Sequence, residues 1–182
     1  MSIIFIDMDE CLVNLSKSVI DEMNQEFGMN FNWKDTDYYW SKTGLPREYF
    51  DEVLKRPYIF EMADPIDGAI ENINKLKDYG LEIIFLTCPE YTSEFSMNEK
   101  VIWLEKHFKW FNPYKNLVLS ARKDLVKSEG NYIIDDVLKY LEGFDGIRIC
   151  FARNWNESFK GLRFETWNEI SKYIIELEEN DR

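Results

Sequence analysis

"IIFIDMDECLV", Ile3 to Val13, decides how the rest of the chain reads. Ile3–Ile6 is a short continuous apolar run, the pattern of a strand buried on both faces of a parallel sheet. It stops at Asp7, and Asp9 and Glu10 follow within three positions. Like charges packed so closely repel one another, so the cluster costs stability unless a cation or a reaction compensates it.

Outward from this stretch, regular elements alternate. Leu15–Phe27 reads as a helix, with Leu15, Val19 and Met23 four apart. From Gly28 to about Asp64 the texture changes: "FNWKDTDYYW" is dense in aromatic and polar residues, and "LPREYFDEVLKRP" suits a helix opened by Pro46. Asp67–Tyr79 is expected as a helix with Ile70, Ile73 and Leu76 on one face and Gly80 as its stop. "LEIIFLT", "NLVLS", "NYIID" and "GIRICF" supply four more strands, and "MNEKVIWLEKHF" a helix between the first two. The last helix starts at "TWNE", where Thr166 and Glu169 stand at capping-box spacing and Trp167, Ile170, Ile174 and Leu177 form a stripe. Strands alternating with helices predict an α/β fold, a Rossmann-like parallel sheet with helices on both faces. The aromatic block is expected as a small helical cap inserted after strand 1. Residues 1–14 and 65–182 then form the core, and 15–64 the cap.

Composition narrows the functions. A chain of 182 residues with 45% hydrophobic and 16% aromatic content folds around a real core. A formal charge of −12 argues against a broad nucleic-acid surface, although one metal and a few basic side chains can still receive a small anion. Part of that acidity is peripheral, since "ELEEND" reads as a solvated helix end. Cys11, Cys88 and Cys150 are too widely spaced for a zinc signature and odd in number, so neither that nor a disulfide framework is expected. A short apolar start that ends at Asp7 is no export signal, and no long apolar span follows; a cytoplasmic protein with no membrane partner is the expectation. With His107 as the single histidine, catalysis must run on carboxylates.

In an open parallel sheet, ligands bind beyond the carboxyl ends of the strands. Those ends carry Asp7 and Asp9, Thr87-Cys88-Pro89, Arg122 and Lys123, and Asp135-Asp136. The set suits phosphoryl transfer through an aspartyl-phosphate, with Mg²⁺, a hard dication, among the acidic groups. Asp7 would attack phosphorus, and Asp9 would protonate the leaving oxygen and later deprotonate water. Thr87 would donate to a phosphoryl oxygen and Lys123 would neutralise charge. An EF-hand is excluded, because Cys11, Leu12 and Ser18 occupy positions that need Asp/Asn, Gly and Glu. A receiver domain is excluded because its lysine follows the last strand, whereas Lys123 precedes the final acidic pair.

The ordered set resembles the haloacid dehalogenase superfamily of phosphatases. More narrowly, "DMDECLV", "YYW", "PIDGAIENINKL", "FLTCPE", "SARKDLVKSEGNYIIDD" and the Trp167 helix resemble the 5′(3′)-deoxyribonucleotidase family over nearly the whole chain. The resemblance implies Asp7 as nucleophile and Asp9 as acid/base. It implies Mg²⁺ held by the Asp7 carboxylate, the Asp9 carbonyl and a carboxylate from Asp135 or Asp136. Thr87, Cys88 and Lys123 would bind phosphate, Cys88 standing where a serine is expected. The stretch from Lys123 to Asp135 is slightly long, which makes Lys127 an alternative. Cap residues, with Trp33, Tyr39, Trp40 and Arg47 as candidates, would receive the nucleobase or the sugar and phosphate, although aromatics such as Trp33, Tyr38, Tyr39 and Trp40 are more often small-domain core than a base-stacking platform. The partner implied is a nucleotide, not a nucleic-acid polymer, and a homodimer is compatible with the reading. Two alternatives stand beside it: a phosphatase of the same superfamily acting on a sugar phosphate or similar ester, and a non-catalytic binding protein.

Overall fold

The computed structural model describes residues 2–35 and 47–180. Six strands form one sheet: β1 (Ile3–Ile6), β2 (Glu82–Thr87), β3 (Leu117–Leu119), β4 (Tyr132–Asp135), β5 (Ile147–Phe151) and β6 (Leu162–Phe164). Their order is β3-β2-β1-β4-β5-β6, and every pairing is parallel. The pleat sends alternate side chains to opposite faces. Ile4, Ile6, Ile83, Phe85, Ile134 and Ile149 enter the larger core, which contains the buried stripes of α3 (Ala69–Tyr79), α4 (Ser96–His107) and α7 (Trp167–Asn180). Leu86, Ile133 and Cys150 enter a smaller core with Leu141 of α6 (Leu138–Glu142) and Phe144.

Helix α1 (Leu15–Phe27) buries Val19, Ile20 and Met23, and it packs on α2 (Arg47–Leu54), which buries Phe50, Val53 and Leu54. At α7 the capping box is formed: the Thr166 hydroxyl accepts from the Glu169 N–H while Glu169 accepts from the Thr166 N–H. Some boundaries differ from expectation. Helix α3 begins at Ala69, not Asp67, because Gly68 turns the chain at φ +72°. "NLVLS" shortens to three paired residues, since Pro113–Asn116 is a helical turn, α5, capped by the Asn112 side chain. Strand β6 was not anticipated; three residues at a sheet edge carry too little periodicity to be read. Among the described residues, no helix is long and apolar enough to cross a membrane.

The sheet order reverses at β1, from which the chain goes to β2 and β3 on one side and returns to β4 on the other. Such a switch point opens a crevice at the carboxyl ends of the strands. Register fills it with carboxylates. Ile6 pairs with Ile134, so Asp7 stands beside Asp135, and the Asp7 N–H donates to the Ile134 carbonyl at 2.9 Å.

Candidate active site

The turn after β1 is tightly wound. The Met8 carbonyl accepts from the N–H groups of Cys11, Leu12 and Val13, and Glu10 takes φ +58° to close the turn. Trp167 of α7 donates its indole N–H to the Cys11 carbonyl at 2.8 Å. Glu10 ties this turn to its surroundings. Its carboxylate accepts the Ser16 N–H in the first turn of α1, and the Arg153 guanidinium grips its carbonyl.

Lys123 lies at the centre. Its ammonium, 1% exposed, sits 2.6 Å from Asp7 Oδ1 and 2.9 Å from Asp135 Oδ2, above the Tyr140 ring. Burial works against its charge, but Asp135 and Asp7 outweigh it and hold its pKa well above the ordinary lysine value. Lys127 instead reaches the Gly143 carbonyl at the surface. For Asp135 the balance runs the other way. Burial pushes it up to about 7 despite Lys123. Asp136 takes its hydrogen bonds from the Trp155 indole at 2.9 Å and, weakly, from Cys11. Burial, then Asp135, Asp7 and Glu10, push it well above the carboxylate range.

Asp136, Asp7 and Cys11 offer ligand atoms within 4.8 Å of one another, all buried. Burial raises the Cys11 thiol far above its ordinary pKa, so that sulfur is a neutral neighbour. The carboxylate oxygens are what a hard cation would use.

Thr87, fully buried, does not turn its hydroxyl into the open; the oxygen accepts from Lys100 at 2.9 Å. Cys88 does line the cavity, and its carbonyl also accepts from Lys100. Lys100 itself, on α4 and 1% exposed, makes a third bond to Asp9 Oδ2 at 2.6 Å. Burial is the main influence on Asp9 and raises its pKa, with Lys100 opposing. Sequence reasoning missed Lys100. The signal lay in its spacing: on the helix it shares a face with Ser96, Trp103 and Leu104, where a lysine needs partners.

Asp7, Asp9, Cys88, Lys123 and Asp136 border one cavity of about 220 Å³. Leu15 of α1, Phe50 and Leu54 of α2, and Phe60 form its apolar wall, and Arg47 stands at its margin, paired with Asp51. Trp33 lies instead in an adjoining groove that shares Glu10, Ser16 and Trp155 with the cavity. Tyr38, Tyr39 and Trp40 lie outside the described residues. His107 packs its ring on Trp103, a structural place.

A family model described as 5′ nucleotidase, deoxy (pyrimidine), cytosolic type C protein matches residues 1–179. The chain belongs to that family. It is a phosphoric monoester hydrolase. A Staphylococcus epidermidis protein, assigned provisionally as a 5′(3′)-deoxyribonucleotidase, is 26% identical over 96% of this chain and 97% of its own length. A 5′(3′)-deoxyribonucleotidase of Bacillus subtilis is 34% identical over 44% of the chain and 45% of its own. The fold of the enzyme matches solved haloacid dehalogenase hydrolases. One, from Deinococcus radiodurans with bound phosphate and sodium, aligns at TM-score 0.60 with 11% identity, covering 96% of this chain and 95% of that one. Another, from Bacillus subtilis bound to magnesium, also reaches 0.60 at 11% identity, covering 94% and 97%.

Proposed function

We propose that this enzyme hydrolyses nucleoside monophosphates, deoxyribonucleotides foremost, through a phosphoryl group carried transiently on Asp7. The observation that carries the reading is the Lys123 ammonium held between Asp7 and Asp135 at a cavity walled by apolar side chains. Asp7 Oδ1 is occupied by Lys123 and by the Met8 N–H, which leaves Oδ2 to attack phosphorus. As the new O–P bond forms, the bond to the leaving oxygen breaks, and that oxygen takes the proton of Asp9. Asp9, now ionised, removes a proton from water; the water oxygen displaces Asp7 from phosphorus, giving inorganic phosphate and restoring both side chains. Lys123 offsets the charge that gathers on the phosphoryl oxygens, and Cys88, which borders the same cavity, would contact them.

Mg²⁺ fits this site. Asp7 and Asp136, with the Asp9 carbonyl, would hold it, and two buried carboxylates so close call for a cation. When bound, the ion would neutralise the acidic cluster and ease the approach of an anionic ester. Helices α1 and α2, with the chain to about residue 64, act as the cap that excludes water and encloses the nucleoside. The preference for deoxyribonucleotides rests on the names of the relatives.

The test is phosphate release from dUMP, dTMP, 3′-dTMP and a set of sugar phosphates, with MgCl₂ or EDTA, by wild type and Asp7→Asn. Hydrolysis of the nucleotides, lost on chelation and in the variant, supports the proposal. Turnover of sugar phosphates alone would remove the substrate assignment, and an active Asp7→Asn would remove the mechanism.

A further inference from the structure

We propose that Lys100 is the positioning residue for Asp9, holding its carboxyl group in the orientation from which it serves the leaving group; this rests on the reading of Asp7 and Asp9 given above. An ammonium has three N–H donors. Those of Lys100 are matched by Asp9 Oδ2, Thr87 Oγ1 and the Cys88 carbonyl, at 2.6, 2.9 and 2.8 Å. With the side chain 1% exposed, protein oxygens and not water set its place. Asp9 Oδ1, by contrast, is buried with no hydrogen-bond partner. Held through Oδ2, the Asp9 carboxyl keeps a single orientation beside the cavity it borders.

The turn of α4 that carries Lys100 is anchored in its own right. The neighbouring Glu99, 4% exposed, accepts the N–H groups of Tyr58, Phe60 and Glu61, and the Phe60 ring stands 5.4 Å from the Lys100 ammonium. The strand end bearing Thr87, the chain leaving the cap and the acid are thereby gathered on one helical turn. Replacing Lys100 should leave Asp7 its nucleophilicity and deprive Asp9 of its aim.

The leaving group separates these two effects. A deoxynucleoside departs as a poor alkoxide that needs a proton, whereas 2,4-dinitrophenolate departs with its electron pair unaided. Single-turnover release of the leaving group, deoxyuridine from dUMP and dinitrophenolate from 2,4-dinitrophenyl phosphate, is measured with enzyme in excess and Mg²⁺ present in wild type, Lys100→Met and Lys100→Gln. Melting curves confirm folding, and the glutamine variant serves where methionine does not fold. The expected result is a loss of about 10–100-fold on dUMP, with the aryl ester within about threefold of wild type. An equal loss on both esters, or no loss on dUMP, overturns the role of Lys100. A wild type inactive on both, or an active Asp7→Asn, would instead strike the reading beneath it.

Discussion

Replacing Asp136 by asparagine is expected to stabilise the metal-free protein while abolishing its activity. Asp136 is 2% exposed, and its ligand oxygen lies within 4.8 Å of one on Asp7. At an effective dielectric of about 20, two ionised groups at that separation repel by roughly 3.5 kcal/mol. The alternative is to keep Asp136 protonated, as burial and its acidic neighbours favour. Holding an acid of ordinary pKa about 4 protonated at pH 7 costs roughly 4 kcal/mol. A neutral amide of the same shape bears neither cost and can still accept the Trp155 N–H. The gain is thus about 3.5 kcal/mol, the smaller of the two, or roughly 7–14 °C in Tm for a chain of this length. The sign with pH follows from the raised pKa: the native state retains a proton that the unfolded chain has lost, so wild-type stability falls as pH rises above the ordinary carboxylate range. The advantage of Asp136→Asn should be full at pH 7 and fade towards pH 4. Thermal melts in EDTA at both pH values test this, and repeats in MgCl₂ should reverse the order, because only wild type gains from binding. A variant that melts at or below wild type in EDTA at pH 7 would refute the reasoning.

Lys123→Met should lower turnover by on the order of 10²–10³-fold, while Lys127→Met, altered at the surface, should stay within about twofold; initial rates on one nucleotide decide. Mg²⁺ binding should release protons near pH 7, because burial pushes Asp135 up to about 7 and raises Asp136 well above the carboxylate range. Calorimetry in buffers of different ionisation enthalpy measures that release, and a buffer-independent enthalpy would contradict it. Asn156, fully buried, donates to the carbonyls of Asp136 and Phe151 and accepts from Arg153 and Arg163. Asn156→Ala should cost about 3 kcal/mol in urea denaturation. Thr166→Ala should cost about 1 kcal/mol through loss of the α7 cap.

The order of the fold was legible because each central strand is an unbroken apolar run that ends in a reactive side chain. Asp7, Thr87 and Asp135 are legible for that reason. Which of Asp135 and Asp136 faces Asp7 was not, since the two are adjacent and only the fold assigns Lys123 to one and Trp155 to the other. Lys100 escaped notice because a helical lysine ordinarily reaches solvent, and its burial depends on Asp9 and Thr87, 91 and 13 residues away. The Thr87 hydroxyl was expected to face phosphate. Its oxygen accepts from that unanticipated lysine.

The carbonyl of Cys11, four residues past Asp7, is held by Trp167, 156 positions later. Chain order and assembly order therefore run in opposite directions: the first strand carries Asp7, and one of the last helices clamps the turn behind it. During synthesis, the carboxylate cluster can be made early but cannot be locked until α7 has left the ribosome. A product truncated before Trp167 would be left with its acids in place and no clamp on them, an outcome that favours degradation over partial activity.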